Sequence, residues 1–251
     1  MRTARLALGA LVICAAPVMA GEVLVPLSAG VAADGTTYTT RVWVTNTGST
    51  ARRWTPSFIA PGADGTKVAA GSPLTVNPGA TVPVTGLAPA GKGGMLYVNG
   101  APQLVITARL EGTGPNGALR AAVAGPLVTG HDLAAGGGTL QLHGLSQRQG
   151  GLSTDLYLIN AARQSAQCTV SAFRADGSTI AAGVRYSLPA LSVKALEGAL
   201  AQLGAPSLDE ARVTVSCDQA FYAYARVYKA GSGELNVMTP PRTLGRPVTV
   251  P

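Results

Sequence analysis

The sequence predicts an all-β protein: two tandem immunoglobulin-like β-sandwich domains that follow a cleaved signal peptide. The chain has 32 glycines and 17 prolines among 251 residues, whereas only 12% of the residues are charged. Short alternating stretches recur between turn sequences, as they do in strands that bury one face. Two stretches also resemble each other, because Thr39–Asn46 (TTRVWVTN) and Ser153–Asn160 (STDLYLIN) both alternate through their centres and end in Asn. We interpret them as the same core strand in two copies of one domain.

The first 20 residues have the three parts of a signal peptide. Arg2 and Arg5 form a basic start, residues 6–16 form an apolar segment, and Val18-Met19-Ala20 is a small-residue cleavage site. The apolar segment is too short to span a bilayer, and no later stretch is long enough to do so. We therefore expect cleavage after Ala20 and an exported protein, either periplasmic or extracellular.

The targeting segment also determines whether the protein carries a lipid and what net charge remains after cleavage. An alternative, a lipoprotein modified at Cys14, is disfavoured by the bulky side chain of Ile13. Removal of Arg2 and Arg5 lowers the formal net charge from +7 to +5. The remaining basic residues are scattered, which does not favour nucleic acid as a partner.

The first copy is predicted to begin with an edge strand at Val23–Leu27, because Pro26 cannot donate a hydrogen bond to a neighbouring strand. In the next strand Val42 and Val44 share one face and are expected in the core, while Trp43 takes the other face. Further strands are predicted at Trp54–Ile59, Leu74–Val76, Thr81–Val84, Met95–Asn99, Leu104–Leu110 and Ala118–Val123. The proline within Thr81–Val84 makes that strand an edge strand.

The second copy repeats this order about 115 residues later, a period that is typical of a whole domain rather than of a solenoid unit. Leu156 and Leu158 take the core positions, and Thr139–Leu142 is the expected edge strand. Leu196–Leu203 has the leucine spacing of a two-turn helix. The other predicted strands are Cys168–Phe173, Ala181–Leu188, Arg212–Cys217, Phe221–Tyr228 and Glu234–Met238.

These stretches divide the chain into five segments. They are a signal peptide (1–20), a first β-sandwich (21–129), a Gly-rich linker (130–138), a second β-sandwich (139–242) and a tail (243–251). About seven strands per copy favour a two-sheet immunoglobulin-like sandwich, and a barrel is the alternative.

Signal removal leaves two cysteines, Cys168 and Cys217, which in an exported chain most simply form one disulfide. Each cysteine shares the parity of the core valines on its strand, so both are expected to face the core of the second copy. The matching positions of the first copy are Trp54 and Gly100, where a large side chain opposite a glycine is expected to fill the same space. Two thiols without nearby histidines supply too few ligands for a metal site.

Residues for acid–base chemistry are scarce. The two histidines, His131 and His143, lie near Asp132 and Ser146, but no G-x-S-x-G or H-E-x-x-H motif accompanies them. We therefore expect no catalytic residue, no bound cofactor and no metal, and thus no enzyme. A secreted hydrolase that uses these residues is the least favoured alternative.

Four polar and aromatic residues alternate on one face of the last long strand: Tyr222, Tyr224, Arg226 and Tyr228. If this stripe is exposed, it suits contacts with a glycan, a peptide or another protein, and it is the candidate binding face. The more common alternative is packing on the outer face of the sheet or against the first copy.

Several motifs in the second copy resemble a loosely defined, largely uncharacterised set of exported bacterial β-sandwich modules. They are Ser153–Asn160, Asp176-Gly177, Pro189-Ala190, Ala211–Val215 and Tyr222–Val227. The resemblance implies a secreted, non-enzymatic module and assigns no functional residue.

Ser72–Gly79 and Met95–Asn99 are also faintly similar to strands of periplasmic pilus chaperones. That family lends a strand to a pilus subunit and holds the terminal carboxylate of the subunit with basic residues. However, no Arg or Lys lies between Gly21 and Thr40, where one of these basic residues should lie. We therefore expect an exported binding or structural surface protein with a protein or glycan partner, and the chaperone is the alternative.

Overall fold

The computed structural model describes residues 22–31, 35–85, 88, 92–99, 103–229, 232 and 234–241. The predicted signal peptide and the 243–251 tail therefore lie outside the described residues. The protein is all-β, and the one α-helix of the described part has a single turn. No helix in these ranges is long and apolar enough to cross a membrane.

The strands of the N-terminal half are β1 (Glu22–Leu27), β2 (Ala29–Val31), β3 (Thr37–Asn46), β4 (Arg52–Trp54), β5 (Pro56–Ile59), β6 (Leu74–Val76), β7 (Thr81–Val84), β8 (Gly94–Asn99), β9 (Leu104–Thr113), β10 (Leu119–Ala124) and β11 (Val128–Thr129), with a 3₁₀ turn η1 (Gly65–Lys67). The C-terminal half contains β12 (Thr139–Gln147), β13 (Leu152–Asn160), β14 (Ala166–Phe173), β15 (Thr179–Leu188), β16 (Ser192–Leu196), α1 (Ala199–Gln202), β17 (Leu208–Cys217), β18 (Phe221–Lys229) and β19 (Leu235–Met238).

Each half contains two main sheets with a hydrophobic core between them, and the N-terminal half also contains a two-stranded sheet, β4-β6. In the N-terminal half, sheet I has the order β11-β1-β8-β5 and sheet II the order β10-β9-β3-β2, with β7 also paired to β3. In the C-terminal half, sheet III has the order β12-β17-β14-β15 and sheet IV the order β16-β13-β18-β19. Val42 and Val44 are buried between sheets I and II, and Leu156 and Leu158 between sheets III and IV, as their alternation predicts.

The strand pairing repeats in the same register in the two halves. Strand β3 lies between β7 and β9, with Val42 opposite Ala108. Strand β13 lies between β16 and β18, with Leu156 opposite Ala225. The similarity between the two stretches of sequence therefore corresponds to equivalent positions in two sheets.

The asparagine that ends both stretches closes the strand onto the following loop. Asn160 is fully buried, and its Nδ2 donates to the backbone oxygens of Gln164 and Pro189, both at 2.7 Å. Its Oδ1 accepts from the backbone N–H of Ala162 at 3.0 Å. One amide thus satisfies three backbone groups that the end of the strand leaves without a ladder partner.

Asn46 makes the same set of bonds in the N-terminal half. Its Nδ2 donates to the oxygens of Thr50 and Val76 at 2.8 and 2.9 Å, and its Oδ1 accepts from the N–H of Gly48 at 2.9 Å. Asn46 is also fully buried. The shared asparagine is therefore part of the repeated backbone geometry.

Of the three strands that the sequence predicts at sheet edges, two lie there. The edge position of the first strand is wrong, because β1 lies between β11 and β8. Strand β11 pairs only with Val23 and Leu24 of β1, so Pro26 lies beyond the end of β11. No residue of β11 therefore loses a hydrogen-bond partner because Pro26 has no N–H. The edge positions of β7 and β12 are confirmed.

The predicted helix is shorter than the leucine spacing suggests. Only Ala199–Gln202 is helical, and Leu196 ends strand β16, which the sequence analysis did not predict. Leu196, Leu200 and Leu203 nevertheless all pack in the core of the C-terminal half. The spacing therefore identified the buried side chains but not the conformation that buries them.

The Gly-rich stretch between the halves is hydrogen-bonded to the C-terminal half. Ala134 and Phe221 exchange backbone bonds at 2.9 and 3.0 Å, and the N–H of Gly137 donates to the oxygen of Cys217 at 2.7 Å. The predicted linker is therefore an ordered segment that is bonded to the C-terminal half.

The halves meet through the outer faces of sheets I and IV, a contact that we call the central interface. Its buried residues are Leu24, Ile59, Met95 and Val128 from sheet I and Tyr157, Ile159, Ala161, Leu191, Val193, Tyr222 and Tyr224 from the C-terminal half. Two backbone bonds cross it, because the N–H groups of Gly62 and Gly65 donate to the oxygens of Val193 and Ala190, both at 2.9 Å. A Cβ atom at Gly65 would lie 2.3 Å from the oxygen of Leu191, so this approach requires glycine.

Candidate functional site

The stripe on β18 that the sequence offers as a candidate binding face is covered by the N-terminal half. Tyr222, Tyr224 and Arg226 are buried, and Tyr228 is half-buried. The exposure on which the candidate binding face depends is therefore absent, because the apolar outer face of sheet I packs against these residues. The alternative, contact with the first copy, describes these residues.

The buried stripe contains an ion pair held between aromatic rings. Arg226 Nη2 lies 2.5 Å from Oδ2 of Asp155, whose Oδ1 accepts from the N–H of Gly198 at 2.9 Å. The guanidinium carbon of Arg226 is 5.1 Å from the ring centre of Tyr38 and 4.9 Å from that of Tyr228. Because Tyr38 belongs to the N-terminal half, this cation–π contact also joins the halves.

The environment shifts the pKa values of the buried groups. Burial by itself lowers the pKa of Arg226, but Tyr157 and Asp155 outweigh it, so the pKa of Arg226 is raised above its ordinary value. The rings of Tyr157 and Tyr224 stack with centres 4.5 Å apart, and burial raises the pKa of both phenols. Arg226 is therefore charged and both phenols are neutral at ordinary pH, which suits a permanent contact.

A second polar contact lies at the start of the first strand. Arg163 Nη2 donates to Oε1 of Glu22 and to the hydroxyl oxygen of Tyr97, both at 3.0 Å, and the Tyr97 hydroxyl donates to Glu22. Burial raises the pKa of Tyr97, and Glu22 raises it further. Glu22 and Tyr97 come from sheet I and Arg163 from the loop after β13, so this group also joins the halves.

The two histidines lie on exposed positions, His131 in a turn and His143 on β12. The Asp132 carboxylate accepts from the N–H and the hydroxyl of Thr129 at 3.0 and 2.7 Å, which stabilises the turn. Ser146 Oγ accepts from a backbone N–H on β17. Within the described ranges, no group of three His, Cys, Asp or Glu side chains could hold a metal ion.

The predicted disulfide is confirmed. Cys168 on β14 lies opposite Cys217 on β17 in the ladder, and the two form a disulfide with Cα atoms 4.0 Å apart. At the matching position of the N-terminal half, Trp54 is buried in the core. Its expected neighbour, Gly100, lies outside the described residues.

The outer face of sheet II, which we call the sheet II face, is the counterpart of the buried stripe, and no other sheet of the described residues covers it. The large apolar side chains that are most exposed in the described part are Val31, Val105 and Leu119, at 70%, 48% and 56%. The ladder register places all three on the same face as Trp43, because they lie opposite Thr37, Thr45 and Thr113.

A pair of arginines occupies the centre of the sheet II face. Arg41 Nε lies 2.7 Å from Oε2 of Glu111, and Arg109 Nη2 donates to the other oxygen of the same carboxylate. Glu111 is buried, whereas the side chains of Arg41 and Arg109 are 63% and 49% exposed. The guanidinium carbon of Arg109 lies 5.4 Å from the ring centre of Trp43. Two cations on one carboxylate leave an excess positive charge and outward-facing N–H groups.

No motif in the sequence marks Arg41, Arg109 or Glu111 as site residues, although the repeat contains a signal for one of them. Ala108-Arg-Leu110 matches Ala225-Arg-Val227, so Arg109 is equivalent to the Arg226 of the buried stripe. The sequence does not show which of the two equivalent faces, the outer face of sheet II or that of sheet IV, is buried between the halves.

A cavity of about 490 Å³ opens beside β3, between β2 and β7. Leu27, Val42, Val84 and Leu96 form its apolar floor, which is continuous with the core between sheets I and II. Its rim includes residues of the sheet II face, namely Arg41 and Trp43. The open face and this groove therefore form one surface.

No protein-family model matches the chain, and a comparison with curated proteins finds no match. Among solved structures, the chain is similar to isomalto-dextranase of Arthrobacter globiformis T6 in complex with panose, with a TM-score of 0.25 and 15% identity. The similarity covers 85% of this chain and 36% of the enzyme, so the chain spans about a third of the length of that protein.

Proposed function

We propose that the chain is an exported, non-enzymatic binding protein in which two β-sandwich domains form one body and present the sheet II face to a partner. Export follows from the predicted signal peptide. The central interface supports the single body, since it joins the halves through an apolar cluster, two backbone bonds and two groups of charged residues.

The proposal also includes an immunoglobulin-like character for each domain. In the N-terminal half β3 pairs with β7 and β5 with β8, and in the C-terminal half β13 pairs with β16 and β14 with β17; these pairings correspond to the central B–E and C–F pairings of that fold. The outer strands differ, because β1 pairs with β8 and β9 with β3, and likewise β12 pairs with β17 and β18 with β13. On this proposal, each domain is an immunoglobulin-like sandwich in which the first and last of these strands (β1 and β9, β12 and β18) have exchanged sheets.

One observation carries the binding function: the sheet II face collects Val31, Val105 and Leu119 around two exposed arginines. The equivalent face of the C-terminal half is a buried contact surface, so this sheet position already serves as an interface within the chain. Val31 and Leu119 lie at one end of this face and Val105 at the other, with the arginines between them, so a partner that spans the face meets both apolar and charged side chains.

The test is affinity capture with the mature chain, residues 21–251, from envelope and secreted fractions of the native host. A variant of the sheet II face, Val105→Thr with Leu119→Thr, is compared with Arg185→Gln and Arg212→Gln on sheet III, which leave the sheet II face intact. We expect the wild type and the sheet III variant to retain a partner that the sheet II variant loses.

Equal capture by both variants would contradict the proposal. Recovery of pilus subunits would instead favour the chaperone alternative.

A further inference from the structure

Building on the proposed function, we propose that the sheet II face binds an acidic polysaccharide. Arg41 and Arg109 receive the carboxylate of a uronate residue, and Trp43 contacts the adjoining sugar ring.

The charge of the face selects an anionic ligand. Glu111 is the acid between the two arginines, and both of its oxygens already accept from them. Each guanidinium has five N–H groups, so most of them point away from Glu111 towards solvent. A ligand carboxylate placed between the guanidinium groups of Arg41 and Arg109 gains charge-assisted hydrogen bonds without displacing a protein contact.

Glu111 also holds the arginines in place before a ligand arrives. Its buried carboxylate fixes Arg41 from β3 and Arg109 from β9, and the Trp43 ring supports the second guanidinium. Long arginine side chains lose much rotamer freedom when they bind, so fixing them beforehand removes part of that cost. The arrangement is therefore preorganised for a planar anion.

The surroundings of the arginines suit sugars. Threonine hydroxyls flank them on the same face: Thr37, Thr39, Thr45, Thr81, Thr107 and Thr113. Hydroxyl side chains both donate and accept, which matches the hydroxyls of a sugar chain, and an aromatic ring provides an apolar surface for its C–H groups. The face extends over five ladder rows, from Val105 to Leu119, a distance of about 27 Å at the rise of a strand.

Other macromolecules fit this pattern less well. A peptide that adds to a sheet needs a free strand edge, whereas this surface is the face of a sheet. Anionic membranes are recognised by clusters of about four to eight basic residues, and this centre has two. Protein interfaces have apolar centres and polar rims, whereas here the charged pair is central and Val31, Val105 and Leu119 are peripheral.

The experiment measures binding of the mature chain to polygalacturonate, alginate and hyaluronate by isothermal titration calorimetry. Methyl-esterified forms of the same polymers keep the sugar rings and remove the negative charge. We expect esterification to weaken binding at least about tenfold, and Arg41→Gln with Arg109→Gln to weaken it by a similar factor. Arg185→Gln with Arg212→Gln on sheet III is the matched control and should bind like the wild type.

The double variant leaves the buried Glu111 carboxylate without its partners and can unfold for that reason. A triple variant, Arg41→Gln, Arg109→Gln and Glu111→Gln, removes the unpaired charge, and its circular dichroism spectrum reports folding. Equal binding of esterified and free polymers, or by the folded triple variant and the wild type, overturns the inference.

The proposed function and this inference can fail separately. Host capture that depends on Val105 and Leu119, without binding to any of the three uronate polymers, rejects the polysaccharide and leaves the binding function intact. Binding to vesicles of anionic phospholipid in place of the polymers also rejects it.

Discussion

The buried asparagine that ends both repeated strands makes a stability prediction that can be worked out bond by bond. Replacement of Asn160 by Ala leaves three backbone groups without a partner: the oxygens of Gln164 and Pro189 and the N–H of Ala162. Each unsatisfied buried group costs about 1 kcal/mol or more, so Asn160→Ala should lower the free energy of unfolding by about 3 kcal/mol. Because Asn46 makes the equivalent bonds, Asn46→Ala should cost a similar amount.

Asn160→Asp should be more harmful than Asn160→Ala at neutral pH. The aspartate keeps the acceptor for Ala162 but turns a second oxygen towards the oxygens of Gln164 and Pro189, where the amide donated. A buried carboxylate that faces two carbonyl oxygens has neither water nor a donor to stabilise its charge.

Urea unfolding followed by far-UV circular dichroism measures these differences. Asn116→Ala is the matched control, since Asn116 is exposed and accepts a single turn bond from the N–H of Ala118. A cost at Asn160 no larger than that at Asn116, or a milder effect of Asp than of Ala, would refute the reasoning.

Three further predictions follow from the central interface, the buried phenols and the disulfide. Gly65→Ala should destabilise the protein by about 1–3 kcal/mol because its methyl group meets the backbone of Leu191, whereas Gly30→Ala, which meets nothing within 4 Å, should be nearly neutral in the same urea assay. Tyr157 and Tyr224 keep their protons when folded but lose them near pH 10 when unfolded, so stability should be constant below about pH 10 and then fall by about 1.4 kcal/mol per pH unit for each phenol. Urea titrations from about pH 8 to 11 measure this slope, and Tyr224→Phe should reduce it; an unchanged slope in that variant would contradict the assignment. Replacement of Cys168 and Cys217 by Ala should cost about 4 kcal/mol, because the disulfide closes a loop of 49 residues in the unfolded chain. Equal unfolding midpoints of the oxidised wild type and the variant would show that the closed loop contributes nothing.

Features that depend on alternation along a single strand were predictable. Val42 and Val44 are buried because side chains of a strand alternate between two faces, and the same parity places Cys168 and Cys217 where a disulfide can form. Strands β11 and β16 escaped prediction, since neither has an alternating pattern of its own between turn residues and each forms by pairing with a neighbouring strand.

The repeat was also visible in the sequence, but the fate of its outer faces was not. Tyr224 and Thr107 occupy equivalent positions, opposite Tyr157 and Trp43 in the two ladders. The first pair is buried beneath sheet I, and the second lies on the open sheet II face. An alternating pattern predicts which residues lie on each of the two faces of a strand, but it does not predict which other sheet packs against the outer face.

By itself, the sequence determined the all-β class, the repeated core strand with its terminal asparagine, and the pairing of the two cysteines. The tertiary structure alone decided that the Tyr222–Tyr228 stripe is a contact within the chain and that the centre of the open face is Arg41 and Arg109. The physical reason is that strand formation and parity arise from neighbours along the chain. The docking of sheet I on sheet IV depends on surfaces built from strands far apart in sequence, whose complementarity exists only after each half has folded.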